Sequence, residues 1–204
     1  MMTGDTKSNS LNANLNISYK PKNKWSFLSK DKFQRSSSES DGVTSWVLDL
    51  LGQANYNFTE TNFSYGSLEY INNKFDGYDY RIQESAGYGR NISVPSSMKL
   101  SVQAGPGFEQ NKVQDTNQRS SLITANATVN YLWNFTEKSS LSEYLNAVAS
   151  KQTTITTSTT AITANICNNV NLQVSYQLIY SSKPQPSKSR INTTTNISLL
   201  YDFV

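Results

Sequence analysis

Apolar and polar side chains alternate along most of this chain. Between Ser10 and Lys20 every second residue is apolar, and those between them are Asn or Ser. The same period of two recurs in the segments 46–58, 98–108, 123–133, 172–180 and 193–203. Successive side chains of a β-strand point to opposite faces of a sheet, whereas a helix has a period of 3.6. The pattern therefore predicts an all-β protein whose strands have one apolar and one polar face.

Composition argues against several other classes of protein. The chain has 204 residues, of which 11% are aromatic, and this content argues against disorder. Its net charge is only +3 with scattered Lys and Arg, so no nucleic-acid partner is predicted. No apolar run approaches the ~20 residues of a transmembrane helix. The chain has one cysteine, Cys167, and therefore no intrachain disulfide is expected.

The chain contains no histidine. This absence removes Ser-His and Cys-His nucleophiles, histidine general bases and histidine metal ligands. We therefore expect no catalytic residue, no cofactor and no metal site, and we predict that the protein is not an enzyme. An outer-membrane lipid hydrolase is disfavoured for the same reason.

Short turns and longer hydrophilic loops alternate between the predicted strands. Outer-membrane barrels have short periplasmic turns on one rim and long extracellular loops on the other. We place eleven strands at 9–20, 24–35, 44–58, 62–72, 79–91, 97–110, 119–135, 139–150, 153–166, 170–182 and 189–203. The sequence thus predicts an antiparallel up-and-down transmembrane β-barrel, formed as a single domain over residues 1–204.

Aromatic residues concentrate at the ends of these strands. Tyr19 and Trp133 lie at short-turn ends, and Trp46 and Tyr80 lie at long-loop ends. Phe75 and Phe203 extend the same two groups. Amphipathic rings prefer the two membrane interfaces, so this placement favours a lipid-facing surface. The alternative is a soluble β-sandwich, in which aromatic residues would fill the strand middles.

An odd number of strands breaks the rule for bacterial barrels, which have even numbers and both termini in the periplasm. The last strand must run from the cell surface toward the periplasm. Because the connections alternate, the strand that begins near Asn9 must run in the same direction. We therefore expect the complete protein to have a twelfth, N-terminal strand and a cleaved signal peptide. The strand that begins near Asn9 and the strand that ends at Phe203 should face each other across a gap one strand wide. A ladder of hydrogen bonds between these two strands would refute the count of twelve.

The polar face carries charged residues: Asp49, Glu69, Arg81, Lys99 and Glu109. Counting across the hairpin places Glu69 close to Arg81, and Asp49 and Glu69 are predicted to be diagonal neighbours. The group is either a charged constriction that selects solutes or a polar filling of the barrel interior.

Two carboxylates interrupt the apolar face. Glu84 shares that face with Ala86 and Tyr88, and Glu143 shares it with Leu141 and Leu145. A carboxylate facing lipid is costly, and a local bulge is one arrangement that would turn either of them inward.

Several segments resemble one known family over the whole chain, namely 4–6, 75–80, 86–89, 104–108 and 192–203. In these segments the chain is similar to the YdiY-like family of salt-induced outer-membrane proteins. The resemblance implies an outer-membrane β-barrel of a Gram-negative bacterium and brings no catalytic residues.

The end of the chain resembles the C-terminal strand of outer-membrane barrels. Tyr201 and Phe203 look like the signal that the barrel assembly machinery reads, although Val204 after Phe203 departs from the usual pattern. The assembly machinery is therefore an expected partner of the C-terminal strand. The other expected partners of the barrel are outer-membrane lipid and lipopolysaccharide.

Two functions remain open. The barrel is a narrow solute pore, or it is a non-conducting barrel whose loops contact envelope components.

Overall fold

The computed structural model describes residues 8–38, 42–73, 77–92, 95–114, 117–167, 169–184 and 189–201. Within these residues eleven strands follow one another: β1 (Ser8–Tyr19), β2 (Trp25–Ser38), β3 (Gly42–Asn57), β4 (Asn62–Asn73), β5 (Tyr78–Ile92), β6 (Met98–Val113), β7 (Arg119–Thr136), β8 (Ser139–Ser150), β9 (Thr154–Cys167), β10 (Val170–Ser181) and β11 (Ile191–Tyr201). They form one antiparallel sheet in which each strand is hydrogen bonded to its neighbour in the chain. The prediction of an all-β, up-and-down arrangement is confirmed, and most boundaries agree within three residues.

Side chains close several of the short turns. The hydroxyl of Thr59 accepts a hydrogen bond from the backbone N–H of Asn62 (3.0 Å), and the Asn23 side chain accepts one from the N–H of Trp25 (3.0 Å). Such local bonds satisfy the backbone where the ladder stops. Gly42 and Gly77 follow longer loops with φ of 69° and 90°, a region that favours glycine. Turn chemistry thus separates the alternating segments into strands.

The cross-strand register confirms that apolar positions share one face. Leu15 of β1 lies opposite Asp31 of β2, which in turn lies opposite Leu50 of β3. On the other face, Lys32 of β2 lies opposite Asp49 of β3. We call these the apolar face and the polar face.

Contacts divide the chain into two compact units, and each is described below by itself. Unit 1 comprises Met1–Phe58, Ser64–Gly87 and Pro106–Thr124. Unit 2 comprises Thr59–Phe63, Tyr88–Gly105 and Ala125–Val204.

The sheet order begins with β1 and ends with β11. In the described part of the chain no ladder of hydrogen bonds joins these two strands. Such a ladder would have refuted the predicted strand count. A twelfth strand stays a prediction. None of the described residues forms a helix of the length and apolarity needed to cross a membrane.

Candidate functional site on the polar face

Strands β2 to β6 bring a group of polar and charged side chains together on the polar face of unit 1. We call it the charged cluster; its members are Lys30, Lys32, Asp49, Glu69, Arg81, Gln83, Glu109 and Asn111. Alternate residues of adjacent strands point to the same side, so neighbouring strands can supply opposite charges. The cluster therefore follows from the strand register.

Glu109 is held by two amide side chains. Gln83 Nε2 donates to Glu109 Oε2 at 2.9 Å, and Asn111 Nδ2 donates to Glu109 Oε1 at 2.8 Å. Glu109 is only 6% exposed and Asn111 only 3%. A buried carboxylate needs such donors, because hydrogen bonds replace the hydration that burial removes.

Asp49 and Glu69 form a carboxyl pair next to Arg81. Their side chains lie close enough to interact with each other. The Arg81 charge attracts both carboxyls. On β2, Lys32 interacts with Asp49 and Lys30 interacts with Glu69. The three cations Lys30, Lys32 and Arg81 thus compensate the negative charge of the carboxyl pair.

Two buried acceptor atoms in the cluster have no hydrogen-bond partner among the described residues. They are Asp49 Oδ1 and Asn111 Oδ1. Buried oxygens are normally paired, so these two are exceptions within the cluster.

Four of the five charged residues predicted for the polar face belong to the cluster: Asp49, Glu69, Arg81 and Glu109. The predicted proximity of Glu69 to Arg81 and to Asp49 is confirmed. Lys99 does not join them: it is exposed near the start of β6, whereas Glu109 lies near the other end. Within the described ranges, no group of metal-ligating side chains is arranged to hold a metal ion.

Sequence reasoning missed four members of the cluster. Gln83 and Asn111 have the same strand parity as Arg81 and Glu109, a signal that could have found them. Lys30 and Lys32 were hidden by mixed positions on β2, described next.

The sequence of β2 does not separate into apolar and polar positions. Leu28 shares the polar face with Lys30, and Asp31 shares the apolar face with Phe33. For β2, therefore, the alternation of apolar and polar residues does not indicate which positions belong to the polar face.

No bulge turns Glu143 inward. Glu143 lies opposite Thr160 and Leu145 lies opposite Ser158 in an uninterrupted β8–β9 register. The hydroxyls of Ser158 and Thr160 both donate to the Glu143 carboxylate. Because the neighbouring strand satisfies the carboxylate on the apolar face, no bulge is needed.

Glu84 also remains on the apolar face. It is exposed together with Ala86 and Tyr88, in alternation with the less exposed Ser85 and Gly87. A further carboxylate, Asp31, lies on that face and accepts a hydrogen bond from Ser29 at 3.2 Å.

The aromatic ends of the strands are partly described. Trp25 contacts Phe27 and Tyr56, with ring centroids 6.2 and 5.2 Å apart, and Trp133 contacts Phe135 at 5.8 Å. Tyr201 is exposed opposite Val170. Phe75, Phe203 and Val204 lie outside the described residues, so the assembly signal stays a prediction.

Known proteins place these features in a family. The chain is 25% identical over 201 residues to "Uncharacterized protein YdiY" of Escherichia coli (strain K12), covering 98% of this chain and 78% of the relative. No solved structure matches the chain significantly. Residues 1–203 match the model of the family described as "Protein of unknown function, DUF481". The chain therefore belongs to the DUF481 family, and it is YdiY-like over nearly its whole length.

Proposed function

We propose that this protein is an integral outer-membrane β-barrel of a Gram-negative bacterium, and that its polar face lines a narrow passage for small solutes. One observation carries the proposal: the two faces of the sheet have opposite exposure. Ile123 and Ile197 on the apolar face are 80% and 74% exposed, whereas Glu109 and Asn111 on the polar face are buried. Large exposed apolar surfaces mark contacts with lipid or protein, and a barrel in a bilayer directs its apolar residues outward.

The charged cluster supplies the means of solute selection. A constriction with fixed charges attracts some ions, repels others and replaces part of their hydration. Arg81 and Lys32 attract anions, and the carboxyls of Asp49 and Glu69 attract cations. The compensated charges favour small polar or zwitterionic solutes over highly charged ones.

The second candidate function is a non-conducting barrel that contacts lipopolysaccharide or other envelope components through its loops. The buried Gln83–Glu109–Asn111 network favours it, because side chains that satisfy one another can also fill a small barrel.

Conductance separates these two functions. The purified protein is inserted into planar bilayers, and the current is compared for wild type, Arg81→Ala and Lys99→Ala. A steady wild-type conductance whose ion selectivity changes in Arg81→Ala is the expected result. Glu143→Gln, on the apolar face, is the control and should conduct like the wild type. Bilayers that stay silent with inserted protein favour the non-conducting barrel.

Localisation and assembly are tested in cells. The protein with its natural leader is expected in the outer-membrane fraction after density separation of the envelope. We further propose that the assembly machinery reads the C-terminal strand, so Tyr201→Ala and Phe203→Ala should each lower the membrane-inserted fraction. Recovery of all the wild-type protein in the soluble fraction would overturn the membrane proposal.

A further inference from the structure

An apolar trough crosses the apolar face of unit 1. It extends over β1 to β6 and has a volume of about 910 Å³. Gly52, Gly66 and Ala86 are among the small residues that line it, and Phe27 and Phe108 are among the large ones. A Cβ added at Gly52 or Gly66 would have no heavy atom within 4 Å, so these glycines leave space open. The volume lies within the ~300–1,000 Å³ of small-molecule sites.

Glu84 is the one charged residue among those that line the trough. Among the residues that the structure describes, no group donates a hydrogen bond to its carboxylate. The other acids of the apolar face differ, since Ser29 donates to Asp31, and Ser158 and Thr160 donate to Glu143. Glu84 is therefore an unpaired acid in an apolar setting.

We propose that the trough binds the hydrocarbon chain of a single-chain amphiphile whose primary ammonium group pairs with Glu84. The inference rests on the proposed function, because the trough meets lipid only if the apolar face does. A carboxylate in an apolar medium is costly without a partner. An ammonium group both neutralises it and donates charge-assisted hydrogen bonds, which an uncharged lipid lacks.

The length of the trough also fits a hydrocarbon chain. Six strands spaced by about 4.8 Å span roughly 24 Å. One leaflet of a bilayer has a hydrocarbon thickness of about 15 Å, half of the ~30 Å core. From Glu84 on β5 to Ile17 on β1 the trough crosses four of these spacings, roughly 19 Å, so a hydrocarbon chain of about this leaflet length lies along it with its ammonium group at Glu84.

Dodecylamine is the probe for this site. The protein is refolded in neutral detergent micelles, and its binding of radiolabelled dodecylamine is measured after subtraction of protein-free micelles. We expect saturable binding that dodecanol and dodecanoate displace at least tenfold less well than unlabelled dodecylamine. Equal displacement by dodecanol would mean that a neutral chain occupies the trough, and this would overturn the ammonium assignment.

Three variants test the residues. Glu84→Gln should bind dodecylamine at least tenfold more weakly, and Gly66→Leu should weaken dodecylamine binding by filling the trough. Glu143→Gln is the matched control, because its carboxylate already has two hydroxyl donors, and it should bind like the wild type. Wild-type affinity in Glu84→Gln, or an equal loss in Glu143→Gln, would overturn the inference.

The same preparations separate this inference from the proposed function. Each variant is first tested for insertion into lipid vesicles by protection from added protease. Protein that inserts but does not bind dodecylamine contradicts the inference alone. Wild-type protein that fails to insert contradicts the membrane proposal, and with it the basis of the inference.

Discussion

The polar faces of the two units use different chemistry on the same alternating pattern. In unit 1, charged side chains such as Lys32, Asp49 and Arg81 interact across several strands. In unit 2, side-chain hydrogen bonds of the polar face join neutral amides and hydroxyls on adjacent strands. Asn146 donates to Thr128 at 3.0 Å, and Gln173 donates to Thr163 at 3.0 Å.

This difference separates two tasks of a polar face. A neutral amide–hydroxyl pair is complete once two neighbouring strands are in register, and each contributes a modest stabilisation. A charged residue depends on several partners, since a buried charge left alone is costly. Under the proposed function, unit 2 mainly stabilises the sheet, whereas unit 1 holds the groups that would discriminate between solutes.

Arg81→Leu is expected to cause the largest loss of stability. It removes the cation that attracts both Asp49 and Glu69, and leaving desolvated carboxyls without their counter-charge costs about 3–5 kcal/mol. The free energy of unfolding is measured by urea titration in vesicles. Gln177→Leu in unit 2 removes a neutral bond to Thr159 and should cost about 1 kcal/mol. Equal losses would contradict the distinction between the units.

Arginine on the apolar face should destabilise both units alike. Leu50→Arg in unit 1 and Val129→Arg in unit 2 each place a cation toward lipid, at a cost of roughly 2–4 kcal/mol near the midplane. The control is Thr163→Arg on the polar face, where the proposed water-filled passage would tolerate the charge. Urea titrations in vesicles compare the three variants. A small effect at both Leu50 and Val129 would contradict the assignment of the apolar face to lipid.

The face of most strands was predictable because it depends only on local alternation. Leu50, Trp46 and Tyr56 have the same parity in the sequence, and the register places Leu50 and Asp49 on opposite faces as expected. The proximity of Asp49, Glu69 and Arg81 followed from the hairpin connections. Alternation and short hairpins are local properties, and therefore a single sequence reveals them.

Individual partners were not predictable because they depend on the register between strands. The hydroxyls that satisfy Glu143 come from β9, and an offset of one residue would present the opposite side of that strand. The Gln83–Glu109 bond likewise depends on the register between β5 and β6. The trough was not foreseen either, since it combines small residues from several strands.

Gly89→Ala tests a close contact within unit 2. A Cβ at Gly89 would lie 2.2–2.9 Å from three ring atoms of Phe63, so the ring would have to move. Such overpacking costs about 1–3 kcal/mol. Gly52→Ala in unit 1 is the matched control, because its Cβ would meet nothing within 4 Å and should change stability by less than about 1 kcal/mol. Phe63→Leu combined with Gly89→Ala should recover part of the loss, and equal effects of the two glycine variants would contradict the contact.

The smallest expected effect belongs to a neutral pair of unit 2. Gln173 Nε2 donates to Thr163 Oγ1 at 3.0 Å, and these residues lie opposite each other on β10 and β9. Removing this bond with Thr163→Val should lower the free energy of unfolding by about 0.5–1.5 kcal/mol. A double-mutant cycle with Gln173→Leu isolates the pair, because replacing both partners leaves no unpaired polar group. Since both groups are uncharged, the coupling should be the same at low and high salt. A coupling that falls steeply with salt would show that unit 2 also depends on charge, and the contrast between the two polar faces would then fail.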